Sequence, residues 1–297
     1  MGNRSSFGFT GQTPHERVEV NVSYRDLRTD PELTTLFVDA IKALSTAVGA
    51  ARVKNLEAES EIARWRNEFV LGFGLLAVGE SRAILLLFSD GLNRHARVHL
   101  RSLFEYELKA ALLLDEKHEE RVLKFRDAYA YEQRKFASQL PVARQAVEAN
   151  IARFLGLSDA SAVVGTKEKE AFGGDGRRQM KDELQPDKRY AGTVAWTSQV
   201  SHGSILALAE LADAVEGKRD DVLAHAAMDN KGNALLYYAL WTVMYFVVVI
   251  EQSFGIDVPD VDQIIKRGGS VNDRLGIVSA SQEAAVLKLR AERAIAK

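Results

Sequence analysis

An all-α fold, one multi-helix domain built from long helices, is predicted by three observations. Only 5 prolines interrupt 297 residues, and proline is what breaks helices and punctuates many-turned β folds. Apolar residues recur three and four apart along most of the chain, with no convincing alternating strand pattern, internal repeat or low-complexity tract. The composition, 46% hydrophobic and 27% charged, is that of a globular chain able to bury a sizeable core. Net charge is -2, so nucleic-acid or membrane-surface binding would need a local basic patch. With 0 cysteines there are no disulfides, zinc–thiolate sites, iron–sulfur clusters or Cys nucleophile, as suits a reducing cytoplasm.

Residues 1–30 are polar and aperiodic, an extended lead-in without the apolar core of a signal peptide; Met1-Gly2 with Ser6 fits only the loose myristoylation pattern. Pro31 after Asp30 marks a helix start, and Leu33, Leu36, Phe37, Ile41 and Leu44 give its apolar period. A second helix is expected over about 50–89, with Trp65, Phe69, Phe73, Leu76, Ile84 and Leu87 on its apolar side, before an Asp90-Gly91 turn. Helices over about 92–114 and 116–140 come next, and Pro141 starts another turn or short helix. The charged, Gly-rich stretch between Gly165 and Gly176 is expected to be a mobile loop, a candidate lid. Further helices are expected at about 188–215, 219–228 and 230–254.

Ala234 to Ile250 runs 17 residues without a charge. Spanning a bilayer takes about 20, so a buried core helix is the expectation and no membrane is implied. Gly268-Gly269 is read as separating a C-terminal amphipathic helix at about 280–296. The expected organisation is a lead-in (1–30), a helical domain (31–268) and a partly detached C-terminal tail (269–297).

Two stretches carry the chemistry. In the first, DGLNRHARVHLRSLFEYELKAALLL, the residues Arg94, Arg97, Arg101 and Glu105 share one helix side that continues into leucines. Arg101 and Glu105 are four apart and can pair at the core edge, as a bridge between helices or as a rigid arginine for an anionic group. Gly91 to Leu103 holds three arginines, two histidines and no acid, a local phosphate footprint with Arg94 and Arg97 as candidate substrate contacts. In the second, Tyr190 to Ser204, Ser198 and His202 are i,i+4 neighbours. His202 is the acid–base candidate there; a hydrogen-bonded core histidine is the alternative. Metal readings are weak. His95 and His99 are i,i+4 and His118 lies further on, but no Glu-x-x-His pair and no H-E-x-x-H occurs. No P-loop or strand-framed G-x-G-x-x-G points to a nucleotide cofactor, and none is expected.

These stretches resemble a widespread bacterial family of helical proteins known only as a domain of unknown function. The resemblance covers roughly Ala77 to Gly203. It rests on an Arg-Ser-Leu-x-Glu helix carrying Arg101 and Glu105, the next helix with RVLKFRDAYAYEQRK, and Tyr190 with a late Ser-x-x-x-His-Gly carrying Ser198, His202 and Gly203. The late motif is also similar to the Arg-x(4–6)-His-Gly end of HEPN domains, helical ribonucleases of toxin–antitoxin and phage-defence systems. Ser198 stands where the HEPN arginine would be, and Arg101 from the other helix could replace it in space. Arg94-x4-His99 also fits the spacing, inside the other family's helix rather than near the domain's end.

The resemblance implies a HEPN-like helical bundle, cytoplasmic, acting on RNA or a nucleotide by metal-independent acid–base chemistry, as a phage-defence toxin with a defence-system partner protein. In that mechanism His202 is general acid or base, Arg101 stabilises phosphorane charge, Glu105 orients Arg101, and Ser198 fixes the imidazole tautomer. HEPN ribonucleases pair active helices across a dimer, so a homodimer is implied. The alternative is a non-catalytic binding or regulatory module in which the same residues form a buried polar lock.

Overall fold

The computed structural model describes residues 30–54, 60–114, 119–139, 144–160, 163–171, 232–275 and 281–296. In chain order the helices among them are Pro31–Lys54 (α1), Glu61–Ser89 (α2), Asn93–Leu114 (α3), Glu120–Ser138 (α4), Arg144–Leu155 (α5), Glu168–Ala171 (α6), Gly232–Phe254 (α7), Val261–Leu275 (α8) and Ser281–Ala296 (α9). No strand occurs among the described residues, and the protein is all-α. The helices expected at 188–215 and 219–228 lie outside the described residues.

Helix starts obey local chemistry. Asp30 caps α1: its Oδ1 accepts the backbone N–H groups of Glu32 at 2.9 Å and Leu33 at 3.2 Å, with Pro31 in the first helical position. The second helix begins later than the sequence suggested. Burial of Val48 and Ala51 carries α1 past Gly49, and α2 starts only where the Ser60 hydroxyl accepts from Ala63 N–H. At the other end of α2, Gly91 takes φ 76°, Leu92 N–H reaches Leu87 C=O at 2.7 Å and Gly91 N–H reaches Phe88 C=O at 3.0 Å. That Schellman closure needs the glycine and folds α3 back antiparallel on α2.

The core centres on α7, which packs against α1, α3, α2, α8 and α9. Residues 239–244 and 246–251 of α7 are all buried, so the charge-free stretch is the interior of the bundle. By length and composition alone, α1, α2 and α7 are each long and apolar enough to cross a membrane. Gly74 of α2 sits where α1, α2 and α7 meet: a Cβ there would lie 3.0 Å from Ile250 Cδ1 and Val48 Cγ2.

On the far side of α2, an aromatic cluster joins α4 and α5. Phe69 meets Phe125 edge-on at 4.8 Å, and Trp65 lies 5.3 Å from Phe154. Arg134 ties α4 both to α5 and to the chain beyond it, pairing with both oxygens of Glu148 at 2.8 and 2.7 Å and donating to Val163 C=O and Ala160 C=O. The described part of the expected loop is anchored rather than loose. Gly165 abuts the Tyr131 backbone so closely that a Cβ would lie 2.6 Å from Tyr131 N, Thr166 Oγ1 donates to Lys124 C=O, and Lys109 pairs with Glu168. Residues 172–176 lie outside the described residues.

The Gly268-Gly269 pair does not separate helices; it lies inside α8. A Cβ at Gly268 would come within 3.1 Å of Trp241 Cζ2, so the small residue lets α8 press on the indole while the helix continues. α9 packs on α7, where the carboxylate of Glu251, 1% exposed, receives Arg290 at 2.6 Å, Arg293 at 3.0 Å and Val258 N–H at 2.8 Å. Tyr237 O–H donates to Glu283, completing the attachment.

Candidate functional site at the α2–α3 hairpin

At roughly 100° per residue, α3 presents two polar sides. Arg97, Arg101 and Glu105 occupy one; His95, His99, Ser102 and Tyr106 occupy another.

On the first side, Arg101 Nε donates to Glu105 Oε1 at 3.2 Å. The two side chains are 11% and 29% exposed, which places the pair at the core edge. Arg97 is 1% exposed and turned toward the interior with Leu100 and Phe104, so its guanidinium does not face solvent as a surface anion contact would. Arg94 lies in the first turn of α3. Tyr190, Ser198 and His202 lie outside the described residues, and with them the meeting of Arg101 and His202.

The second side holds a constellation that sequence patterning did not assemble. His99 Nδ1 lies 2.6 Å from Glu80 Oε2 on α2, with the side chains 36% and 21% exposed. Tyr106 O–H donates to Glu80 Oε1 at 3.4 Å. Burial first, and then the neighbouring Glu80 charge, push the Tyr106 phenol above its ordinary range. It therefore stays protonated as a donor. An ionised carboxylate only accepts, so the hydrogen of this contact sits on Nδ1, in the neutral and in the charged ring alike. A carboxylate hydrogen-bonded to one ring nitrogen is an arrangement that orients an imidazole for acid–base work at the other. The pair lies on the open rim of the hairpin, with His95 exposed one turn earlier on α3 and Leu76 and Val98 exposed nearby.

In sequence, His99 stands out only for its spacing to His95 and Arg94. Its partner is 19 residues away on another helix. The Schellman turn at Gly91 is the signal that could have found it. An antiparallel hairpin closing there sets Glu80 opposite His99, in the same register that stacks Phe73 on Tyr106 at 5.9 Å. Among the described residues, no three His, Asp or Glu side chains converge in a way that could hold a metal ion.

No curated protein and no solved structure matches the chain. Residues 70–219 match a family of unknown function, DUF5677. The match takes in most of α2, including Glu80, all of α3 and α4, and the positions of Tyr190, Ser198 and His202. Covering half of the chain, that match makes this protein a member of the DUF5677 family of unknown function.

Proposed function

We propose that the protein is a HEPN-like cytoplasmic protein acting on RNA or a nucleotide by metal-independent acid–base chemistry, as a toxin in phage defence. The observation that supports this reading most is the Glu80–His99 pair: a half-exposed imidazole held by a carboxylate, on a helix that carries no acidic residue from Asn93 to Leu103. An imidazole so held takes the proton from a ribose 2′-hydroxyl as its oxygen attacks phosphorus. A protonated acid then hands a proton to the departing 5′-oxygen. His99 and His202 are the two imidazoles proposed for these roles. Glu80 and Ser198 fix their tautomers, and Arg101, oriented by Glu105, balances charge on phosphorus.

Purified full-length protein incubated with single-stranded RNA in a chelator tests this, alongside growth on induction. His99→Ala and His202→Ala are each expected to reduce cleavage about 10²–10⁴-fold and abolish toxicity while the melting temperature holds. Cleavage that persists in either variant removes that histidine from the mechanism; no cleavage and no toxicity from the wild type ends the reading.

A second reading, a non-catalytic binding or regulatory module, is favoured by the depth of Arg101, 11% exposed against Glu105. It expects no cleavage and a lowered melting temperature when either partner of that pair is removed.

A further inference from the structure

The outer side of α2 carries one unbroken stripe. Glu68, Gly72, Leu75, Gly79, Arg82 and Leu86 succeed one another at alternating four- and three-residue steps, which holds them in line on a helix. Leu75 is 60% and Leu86 69% exposed, and Leu76 beside them 50%. A Cβ built at Gly72 or Gly79 meets nothing within 4 Å. Two glycines in a long helix weaken it relative to alanine, and here neither admits a neighbour from the described residues. A large exposed leucine set between two hollows, Leu75 between Gly72 and Gly79, is a surface suited to close packing on another helix. Lipid is a poor occupant, because Glu68 and Arg82 lie in the same line as the leucines.

We propose that this stripe docks on the same stripe of a second copy of the chain, with the two α2 helices antiparallel. The charges decide both partner and direction. A parallel pair sets Glu68 against Glu68 and Arg82 against Arg82. An antiparallel pair, with its two-fold axis between Leu75 and Gly79, seats Leu75 in the hollow at the partner's Gly79, twice over. It also brings exposed Arg64 level with the partner's Asp90 and Glu68 within a turn of the partner's Arg82. Self-complementarity of shape and of charge about one axis is what an isologous interface requires. The proposal stands on α2 alone and does not need the RNA-directed reading.

The chain has 0 cysteines, so introduced thiols report this contact without background. In the full-length protein, Leu75→Cys combined with Gly79→Cys is expected to give a covalent dimer under mild oxidation, whereas Leu86→Cys alone is not. Sedimentation of the wild type is expected to show a dimer that Leu75→Arg weakens at least about tenfold while circular dichroism and melting behaviour are kept. Glu68→Arg is expected to weaken it too, and Glu68→Arg with Arg82→Glu to restore it. A wild type that sediments as a monomer at tens of micromolar overturns the proposal. So does a dimer indifferent to Leu75→Arg, or a cross-link through Leu86→Cys that marks a parallel pairing.

Discussion

Two carboxylates on neighbouring helices are treated in opposite ways. Glu251 on α7 is 1% exposed and closed in by Arg290, Arg293 and the Val258 amide. Glu80 on α2 is 21% exposed and touches one phenol and one imidazole that itself stays 36% exposed. Both join helices, but only one leaves a titratable group at the surface. A buried charge must be saturated, because desolvation without full pairing costs several kcal/mol per ion. A half-open pair is held more weakly and keeps its chemistry reachable by a substrate. The difference argues that α7–α9 serve as the scaffold and that the α2–α3 rim is where function is to be sought.

The largest expected effect breaks the comparison if it fails. Glu251→Ala leaves Arg290 and Arg293 without their shared carboxylate and is expected to destabilise the protein by about 3–5 kcal/mol. Glu80→Ala, at the rim, is expected to cost under about 1 kcal/mol, the range of exposed pairs. Thermal denaturation of both variants decides, and equal losses would place Glu80 in the scaffold.

Between these extremes lies Glu105. With Arg101 only 11% exposed, Glu105→Ala leaves a mostly buried guanidinium without that acceptor, for an expected loss of about 1–3 kcal/mol in urea titration. A change below the error of the fit would mean that Arg101 reaches solvent easily and behaves as the rim does.

The range of the forces decides how much of this was legible in the sequence. The cap at Asp30-Pro31, the apolar period of α1 and the charge-free core of α7 are local patterns, and each is present in the structure. The Arg101–Glu105 pair was legible for the same reason, since both residues lie on one helix. Gly268-Gly269 misled because a glycine pair inside a helix looks like a stop until its neighbours are known. At Gly268 the neighbour is Trp241, 27 residues away in sequence, and tertiary packing overrides propensity. Glu80–His99 was missed because it depends on the register of two helices, which no single-helix period contains and which only the turn at Gly91 sets. The same holds for Arg290 and Arg293 on Glu251, which no pattern in α9 announces.

Acid sharpens the contrast on a third pair. Hydrogen bonding from Arg134 holds the Glu148 carboxyl below its ordinary range, against an opposing burial effect. A carboxyl whose folded pKa is depressed contributes stability above its unfolded value, about 4.3, and loses it as pH falls through the folded value. The α4–α5 junction is therefore expected to weaken below about pH 4. Glu148→Gln should flatten that acid limb in melting curves taken from neutral pH downward. An unchanged limb would assign it to other carboxylates, of which Asp30, held low by Arg274 and the Leu33 and Glu32 amides despite its burial, is the first candidate.

The smallest effect distinguishes the two faces of α2 by glycine alone. At Gly79 an alanine Cβ meets nothing within 4 Å, so the substitution brings only the helix-propensity gain, about 0.5–1 kcal/mol for the single chain. At Gly74 the same methyl would lie 3.0 Å from Ile250 Cδ1 and Val48 Cγ2, and the overpacking is expected to cancel or reverse that gain. Dilute samples should thus melt higher for Gly79→Ala than for wild type, and no higher for Gly74→Ala. At concentrations where α2 pairs with a second copy, the Gly79→Ala advantage should shrink, because the added methyl fills the hollow that Leu75 needs. A gain that is the same at every concentration would show that the stripe faces water in both conditions.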